Sequence, residues 1–213
     1  MNAGPQALVA DAPDSRTALM RAAGALMIER GVIDISLSEI GQRARLNPAL
    51  VKYYFGGRSG LMLALVREVL DQAIRQMEGL ATMDLDPVTK LKLHIKGVIN
   101  VYFRYPYINR LIHALLLDPA MGEEVAKTIS RPLAEAQGRL VEAAIKARAI
   151  KPIDPMLFYF IILGACDHLF FSQQALRHAF GVESIDDQLR RDYTDTLLDM
   201  VLNGLLLPQG KTG

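Results

Sequence analysis

The stretch that most constrains this chain runs from Ser36 to Leu61, SLSEIGQRARLNPALVKYYFGGRSGL. It opens Ser-x-x-Glu. In that spacing the Ser36 hydroxyl accepts from the amide of Glu39, and the Glu39 carboxylate accepts from the amide of Ser36, so a helix starts there. Leu37, Ile40 and Ala44 fall on one face of a short helix ending near Ala44. Arg45-Leu46-Asn47-Pro48 then turns the chain. Asn47 is a good cap, and Pro48 suits the first helical position, where its missing amide hydrogen has no partner anyway. A second short helix is expected from Pro48 to about Tyr54, with Leu50 and Val51 inward and Lys52, Tyr53 and Tyr54 crowding its end. Gly56-Gly57 stops it. Gly41 leaves room where the two helices must approach. Two short helices held at a tight turn form a helix-turn-helix, a unit whose second helix can enter a DNA major groove.

The rest of the chain reads as helix around this unit. Residues 1–14 contain glycine, two prolines and small residues and are expected to form a mobile tail. A supporting helix is expected from Ser15 to Arg30, capped by Asp14 or Ser15 and stopped at Gly31, with Leu19, Ala22, Ala23, Leu26 and Met27 as its apolar stripe. Beyond the unit, helices are expected from Ser59 to about Ala81, Asp86 to Arg104, Pro106 to Leu117, Glu123 to Ala149, Pro155 to Phe180 and Asp186 to Leu207, then a polar tail over 208–213. Proline, glycine and aspartate punctuate them. No hairpin dipeptide stands between alternating residues, so no strand competes. The expected class is all-α with about nine helices. The expected division is a DNA-binding head over 15–60 and a larger body over 61–207.

Charge is uneven along the chain. Residues 15–60 carry seven basic side chains (Arg16, Arg21, Arg30, Arg43, Arg45, Lys52, Arg58) against three acidic ones (Glu29, Asp34, Glu39), a net of +4. Residues 61–213 carry 17 basic and 18 acidic groups, a net of −1. A basic end on a near-neutral body fits a nucleic-acid face, and ordinary solvated surface is the competing reading. The lone Cys166 cannot form an intrachain disulfide. No secretory signal or membrane-length apolar run stands out, so a cytoplasmic protein without a membrane span is expected. The four histidines are scattered, with no i, i+4 pair, so no metal site is expected. No phosphate-cradling glycine loop, catalytic triad order or paired-carboxylate motif is present, and neither catalysis nor a cofactor is expected.

Residues Ser15 to Leu61 resemble the DNA-binding head of the tetracycline-repressor (TetR) family. Ser36, Ile40-Gly41, Ala44-Arg45-Leu46, Asn47, Phe55, Arg58 and Leu61 stand at the family's spacings, and NPALVKYYFGGRSGL is similar to a common variant of its recognition helix. The head covers about a quarter of the chain. The body is similar in layout only: a proline-rich break, then DPMLFYFIILGACDHLFF, then an amphipathic last helix. Two residues depart from the pattern. Arg45 stands where the turn usually has glycine, and a positive φ there costs on the order of 1 kcal/mol. Lys52 stands where many relatives carry tyrosine, which keeps a phosphate contact but changes its chemistry.

The resemblance implies a dimeric transcriptional repressor, released from a palindromic operator by a small molecule. Asn47, Pro48, Ala49 and Lys52 would lie near base edges, with Lys52 the main hydrogen-bonding reader. Ser36, Arg45, Tyr53, Tyr54 and Arg58 would hold phosphates. For Tyr53 and Tyr54, packing against the first helix remains open, and Ser36 can be a cap alone. Two copies would pair through Pro155–Phe180 and Asp186–Leu207 as a four-helix bundle, with heads spaced to meet successive major grooves. An apolar or aromatic effector would sit among Tyr102, Phe103, Tyr107, His113, Phe158, Tyr159 and His168, with His94, Tyr105, Phe170 and Phe171 as further candidates. Core packing is the alternative role for each. An all-helical carrier or enzyme without specific DNA binding, or a protein-binding adaptor, is the alternative for the whole chain.

Overall fold

The structure is a computed structural model that describes residues 12–205, with side chains from residue 15. Of the tail expected over residues 1–14, residues 1–11 lie outside the described residues and residues 12–14 are helical; the tail expected over 208–213 also lies outside them. Among the described residues the chain forms α-helices and one π-helical turn, and no strand. The helices are α1 (Ala12–Arg30), α2 (Leu37–Ala44), α3 (Ala49–Phe55), α4 (Arg58–Thr82), α5 (Pro87–Arg104), α6 (Ile108–Leu117), α7 (Gly122–Val125), α8 (Arg131–Lys146), α9 (Pro155–Phe171), α10 (Gln173–Phe180) and α11 (Asp187–Leu205).

Among the differences from the sequence expectation, four stand out. α1 is already helical at Ala12, so Asp14 and Ser15 lie inside it and neither is its cap. The segment expected as one helix from Glu123 passes through a π turn, Ala126–Ser130, before α8. Pro132 lies in the first turn of α8 and lacks an amide hydrogen for the helical bond back toward Thr128, and the wider turn precedes it. α8 stops at Lys146 because Arg148 takes a left-handed φ of 53°. Finally, the segment from Pro155 to Phe180 is two helices, bent by 60° at Ser172.

α1, α2 and α3 pack into a small head around Leu19, Ala23, Met27, Ile35, Ile40 and Val51, all fully buried. Burying one such side chain stabilises by about 1.5–3 kcal/mol. α4 packs against α1 and α3 at one end and against α5, α6 and α8 along the rest, so the head core continues into the body core without a gap. In the body, Leu91, Ile95 and Ile99 of α5, Val141 and Ala144 of α8, and Phe158, Ile162 and Cys166 of α9 close the interior. α9 is largely apolar all round, with Asp167 and His168 near its C-terminal end. Its outer side leaves Met156, Leu157 and Ile161 exposed, Phe160 is exposed where α9 borders the cavity, and Met200 of α11 is exposed as well. No single helix among the described residues is long and apolar enough to cross a membrane, and the one pair that passes together, α9 with α10, is bent at its break.

Candidate functional site

Local hydrogen bonds shape the head surface. The Ser36 hydroxyl accepts from the Glu39 amide at 3.2 Å, and the Ser36 amide donates to the Glu39 carboxylate at 2.9 Å. The same hydroxyl donates to that carboxylate at 2.6 Å. This bond, followed by the one from Arg30, holds the Glu39 carboxyl down at about 2. Ser36 is thus a working cap. After α2 the chain turns on Arg45, at φ 56° and ψ 38° in the left-handed region. Asn47 follows, its side-chain oxygen accepting from the Ala49 amide at 2.9 Å. Gly41 lies under this turn: a Cβ there would stand 2.6 Å from the Pro48 ring and 2.8 Å from the Leu46 carbonyl oxygen.

The result is an outward row. Arg45, Asn47, Ala49, Lys52 and Tyr53 are exposed, Pro48 is half-buried, and Val51 is fully buried behind them. Tyr53 and Tyr54 differ in placement. Tyr53 is 78% exposed, whereas Tyr54 packs partly into the core, its ring edge-on to Tyr53 at 4.9 Å. The three acidic groups of the head are each held by an arginine: Glu39 by Arg30, Glu29 by Arg43 and Asp34 by Arg58. The net positive charge therefore falls to Arg16, Arg21, Arg45 and Lys52. Arg16 lies over the Phe55 ring at 5.0 Å. Arg58, expected as a phosphate contact, donates to Asp34 at 2.6 Å and to the Ile33 carbonyl at 3.3 Å, so DNA must compete for it.

A cavity of about 440 Å³ opens between α4, α5, α6, α8 and α9. Leu70, Val98, Leu133 and Leu163 are typical of its wall, and no lysine, arginine or carboxylate lines it. Of the residues expected there, Tyr102, His113 and Tyr159 line it, and so does His94. Phe103, Tyr107, Phe158 and His168 do not. Phe103 packs edge-on to Phe170 at 6.3 Å, and Phe158 is buried in the core. His168 is exposed, stacked on Phe171 at 6.5 Å. Tyr107 is buried with its hydroxyl against Gly24 of α1.

The polar centre of the cavity wall is a pair across α5 and α8. His94 Nε2 lies 2.9 Å from Gln137 Oε1, both residues buried. Burial pushes the His94 imidazole below its usual range, with the Gln137 bond opposing; facing an amide oxygen, which can only accept, the ring nitrogen Nε2 is the donor of this bond. The Gln137 Nε2 has no hydrogen-bond partner. A buried donor left unmade costs about 1–3 kcal/mol. Nearby, Asn109 donates to Asp167 at 2.8 Å. Burial raises the Asp167 carboxyl, and the Asn109 bond partly offsets that. Sequence reading missed Gln137. The available signal was a lone amide on the apolar stripe Leu133, Gln137, Val141, Ala144 of α8.

α6 joins the cavity to the head. Ile108, Asn109, Ile112 and His113 face the cavity. From the same helix, Arg110 donates to the Gly31 carbonyl at 2.7 Å, just beyond α1. At its far end, Ser59 of α4 donates to Asp118 at 3.0 Å.

Comparison with known proteins places these features. A family model described as tetracyclin repressor-like, C-terminal domain, matches residues 84–211, more than half of the chain. The HTH-type transcriptional regulator RutR of Escherichia coli (strain K12) is 24% identical over 155 residues, covering 72% of each chain. The HTH-type transcriptional repressor NicS of Pseudomonas putida is 22% identical over 196 residues, covering 90% of this chain and 92% of that one. The solved structure of AibR in complex with isovaleryl coenzyme A and operator DNA superposes with a TM-score of 0.68 at 17% identity, over 87% of this chain and 97% of that one. With a body that matches the family model and a helix-turn-helix head in front of it, the chain belongs to the tetracycline-repressor family of transcriptional regulators.

Proposed function

We propose that this regulator is a dimeric repressor that grips a palindromic operator with α3 and lets go when a small apolar or aromatic ligand enters the cavity. The observation that carries the reading is the exposed row from Arg45 to Tyr53, set over buried Val51 and cleared of free carboxylates by three arginine pairs. Lys52 is the direct base reader and also keeps a phosphate contact, with Asn47, Pro48 and Ala49 making close contact beside it. Arg45, Tyr53 and the amide end of α2 at Ser36 set register on phosphates, joined by Arg58 once it leaves Asp34. Tyr54 supports Tyr53 from beneath.

One head spans a half-site, so the operator needs two heads about 34–36 Å apart or a multiple of that. The exposed apolar side of α9, with α11 beside it, is the surface for the second copy. Together with residues 61–207 as effector-binding body and 15–60 as head, this arrangement works in the cytoplasm, where the chromosome is. Both AibR, whose solved complex holds a ligand and operator DNA, and NicS, named a repressor, support this reading over a carrier or an enzyme.

A ligand changes DNA affinity only if it binds the two head positions unequally. α6 supplies the difference, since ligand contacts at Asn109 and Ile112 act on the helix that holds Gly31 through Arg110. Fluorescence anisotropy with an upstream palindromic duplex tests the function. Two protomers should bind each duplex, and a cavity ligand should release it. With Arg110→Ala, ligand and DNA should both still bind, and release should weaken severalfold. One protomer per duplex would refute the dimer, and full release by Arg110→Ala would refute the α6 link.

A further inference from the structure

The cavity wall also constrains the chemistry of its ligand. It carries no lysine, arginine, aspartate or glutamate, so a charged ligand group would be buried there without an opposite charge. Its buried polar centre is His94 with Gln137, and one end of that pair is satisfied: the amide oxygen of Gln137 is occupied by His94 at 2.9 Å. The other end is not. Gln137 is 2% exposed, and its Nε2 is shielded from water with no protein acceptor. Because Gln137 lines the open space, a small side-chain shift toward a ligand brings those hydrogens to an acceptor without backbone movement. The remaining wall is mostly aliphatic and aromatic, including Leu70, Val98, Tyr102 and Leu163, with Gln76, Asn109, His113 and Ser130 as its other polar residues; of these, Asn109 already donates to Asp167.

We propose that the cavity selects an uncharged, largely apolar ligand bearing one carbonyl-type hydrogen-bond acceptor, which takes the free Nε2 hydrogen of Gln137. The proposal rests on the reading of this cavity as the effector site and specifies what that effector offers. A pure hydrocarbon leaves the donor unmatched. A carboxylate or an ammonium loses its hydration and finds no opposite charge. An apolar ketone fills the wall and completes the one open bond.

The experiment is calorimetric titration of the full-length protein with four probes on one skeleton: benzophenone, diphenylmethane, diphenylacetate and benzhydrylamine. Benzophenone should bind about tenfold tighter than diphenylmethane, a factor equivalent to about 1.4 kcal/mol, and tighter than either charged probe. Gln137→Met keeps the volume and removes the donor, so it should bring benzophenone down to the level of diphenylmethane and leave diphenylmethane unchanged. Gln137→Glu should invert the preference toward benzhydrylamine, which a purely structural role for Gln137 would not produce. Retained DNA binding by both variants confirms folded protein. If benzophenone and diphenylmethane bind alike, if diphenylacetate binds most tightly, or if Gln137→Met weakens all probes equally, the donor assignment is wrong while the effector cavity stands. If none of the four binds, the cavity reading fails along with it.

Discussion

The head surface and the cavity wall handle polar groups in opposite ways. On the head, charged groups stay in water: Arg30, Arg43 and Arg58 each hold a carboxylate at the surface, while Lys52 and Tyr53 stand exposed, the Tyr53 ring edge-on to Tyr54. Pairs of that kind are screened and contribute little to stability, so the head can be recharged without unfolding. In the cavity, His94 and Gln137 are removed from water, and the unmade bond on Gln137 weighs on the folded state until something completes it. Affinity for DNA is therefore separable from stability in this molecule, whereas affinity for the effector is tied to it.

That contrast can be broken first where the head stops being a surface. Gly41→Leu puts a side chain where even a Cβ would touch Pro48 and the Leu46 carbonyl. It should cost about 3 kcal/mol by overpacking, lower the melting temperature by about 6–12 °C and abolish DNA binding. An unchanged melt would mean that α2 and α3 are free to part. The next effect separates neighbours. Tyr54→Ala should lose about 2 kcal/mol in a denaturant melt, as a partly buried aromatic. Tyr53→Ala should leave the melt in place and weaken DNA binding about tenfold. The reverse pattern would exchange their roles.

Asp34→Asn gives a smaller change of opposite sign. Releasing Arg58 from its carboxylate should tighten DNA binding about threefold at low ionic strength, and the gain should fade as salt rises. Weaker binding would show that the pair positions Arg58 for DNA. The smallest effect is the acid response of the α2 cap. The Glu39 carboxyl is held at about 2, below its usual 4.5, so it favours the folded state fully above pH 4.5. That contribution is lost as pH falls from about 4.5 toward 2. Glu39→Gln should melt below the wild type at pH 7, and the two should converge as pH falls toward about 2. A difference that stays constant with pH would remove the carboxylate from the cap.

The head was largely legible because its determinants are neighbours in the chain. The Ser36–Glu39 cap, the room at Gly41, the left-handed Arg45 and the Asn47 cap each depend on residues within a few positions. What escaped was longer in range: Asp34 holds Arg58 from 24 residues away. The cavity was legible only in outline. Tyr102 faces it and adjacent Phe103 does not; Tyr159 faces it and adjacent Phe158 does not. Each choice follows from the rotation of α5 or α9, since one residue turns a helix by about 100°, and composition carries no record of that rotation. The break at Ser172 has neither proline nor glycine to announce it. Gln137 meets His94 across 43 residues, and only tertiary packing brings them together.

The central claim is that the row around Lys52 is an electrostatic and base-reading contact with duplex DNA. Its most direct test is the affinity of the wild type and of Lys52→Ala for a palindromic genomic duplex, measured from about 50 to 200 mM salt. The logarithm of the affinity should fall linearly with the logarithm of salt, with a slope shallower by about 0.9 per protomer in Lys52→Ala and identical melting temperatures for the two proteins. A flat salt dependence, or a slope unchanged by Lys52→Ala, would contradict it.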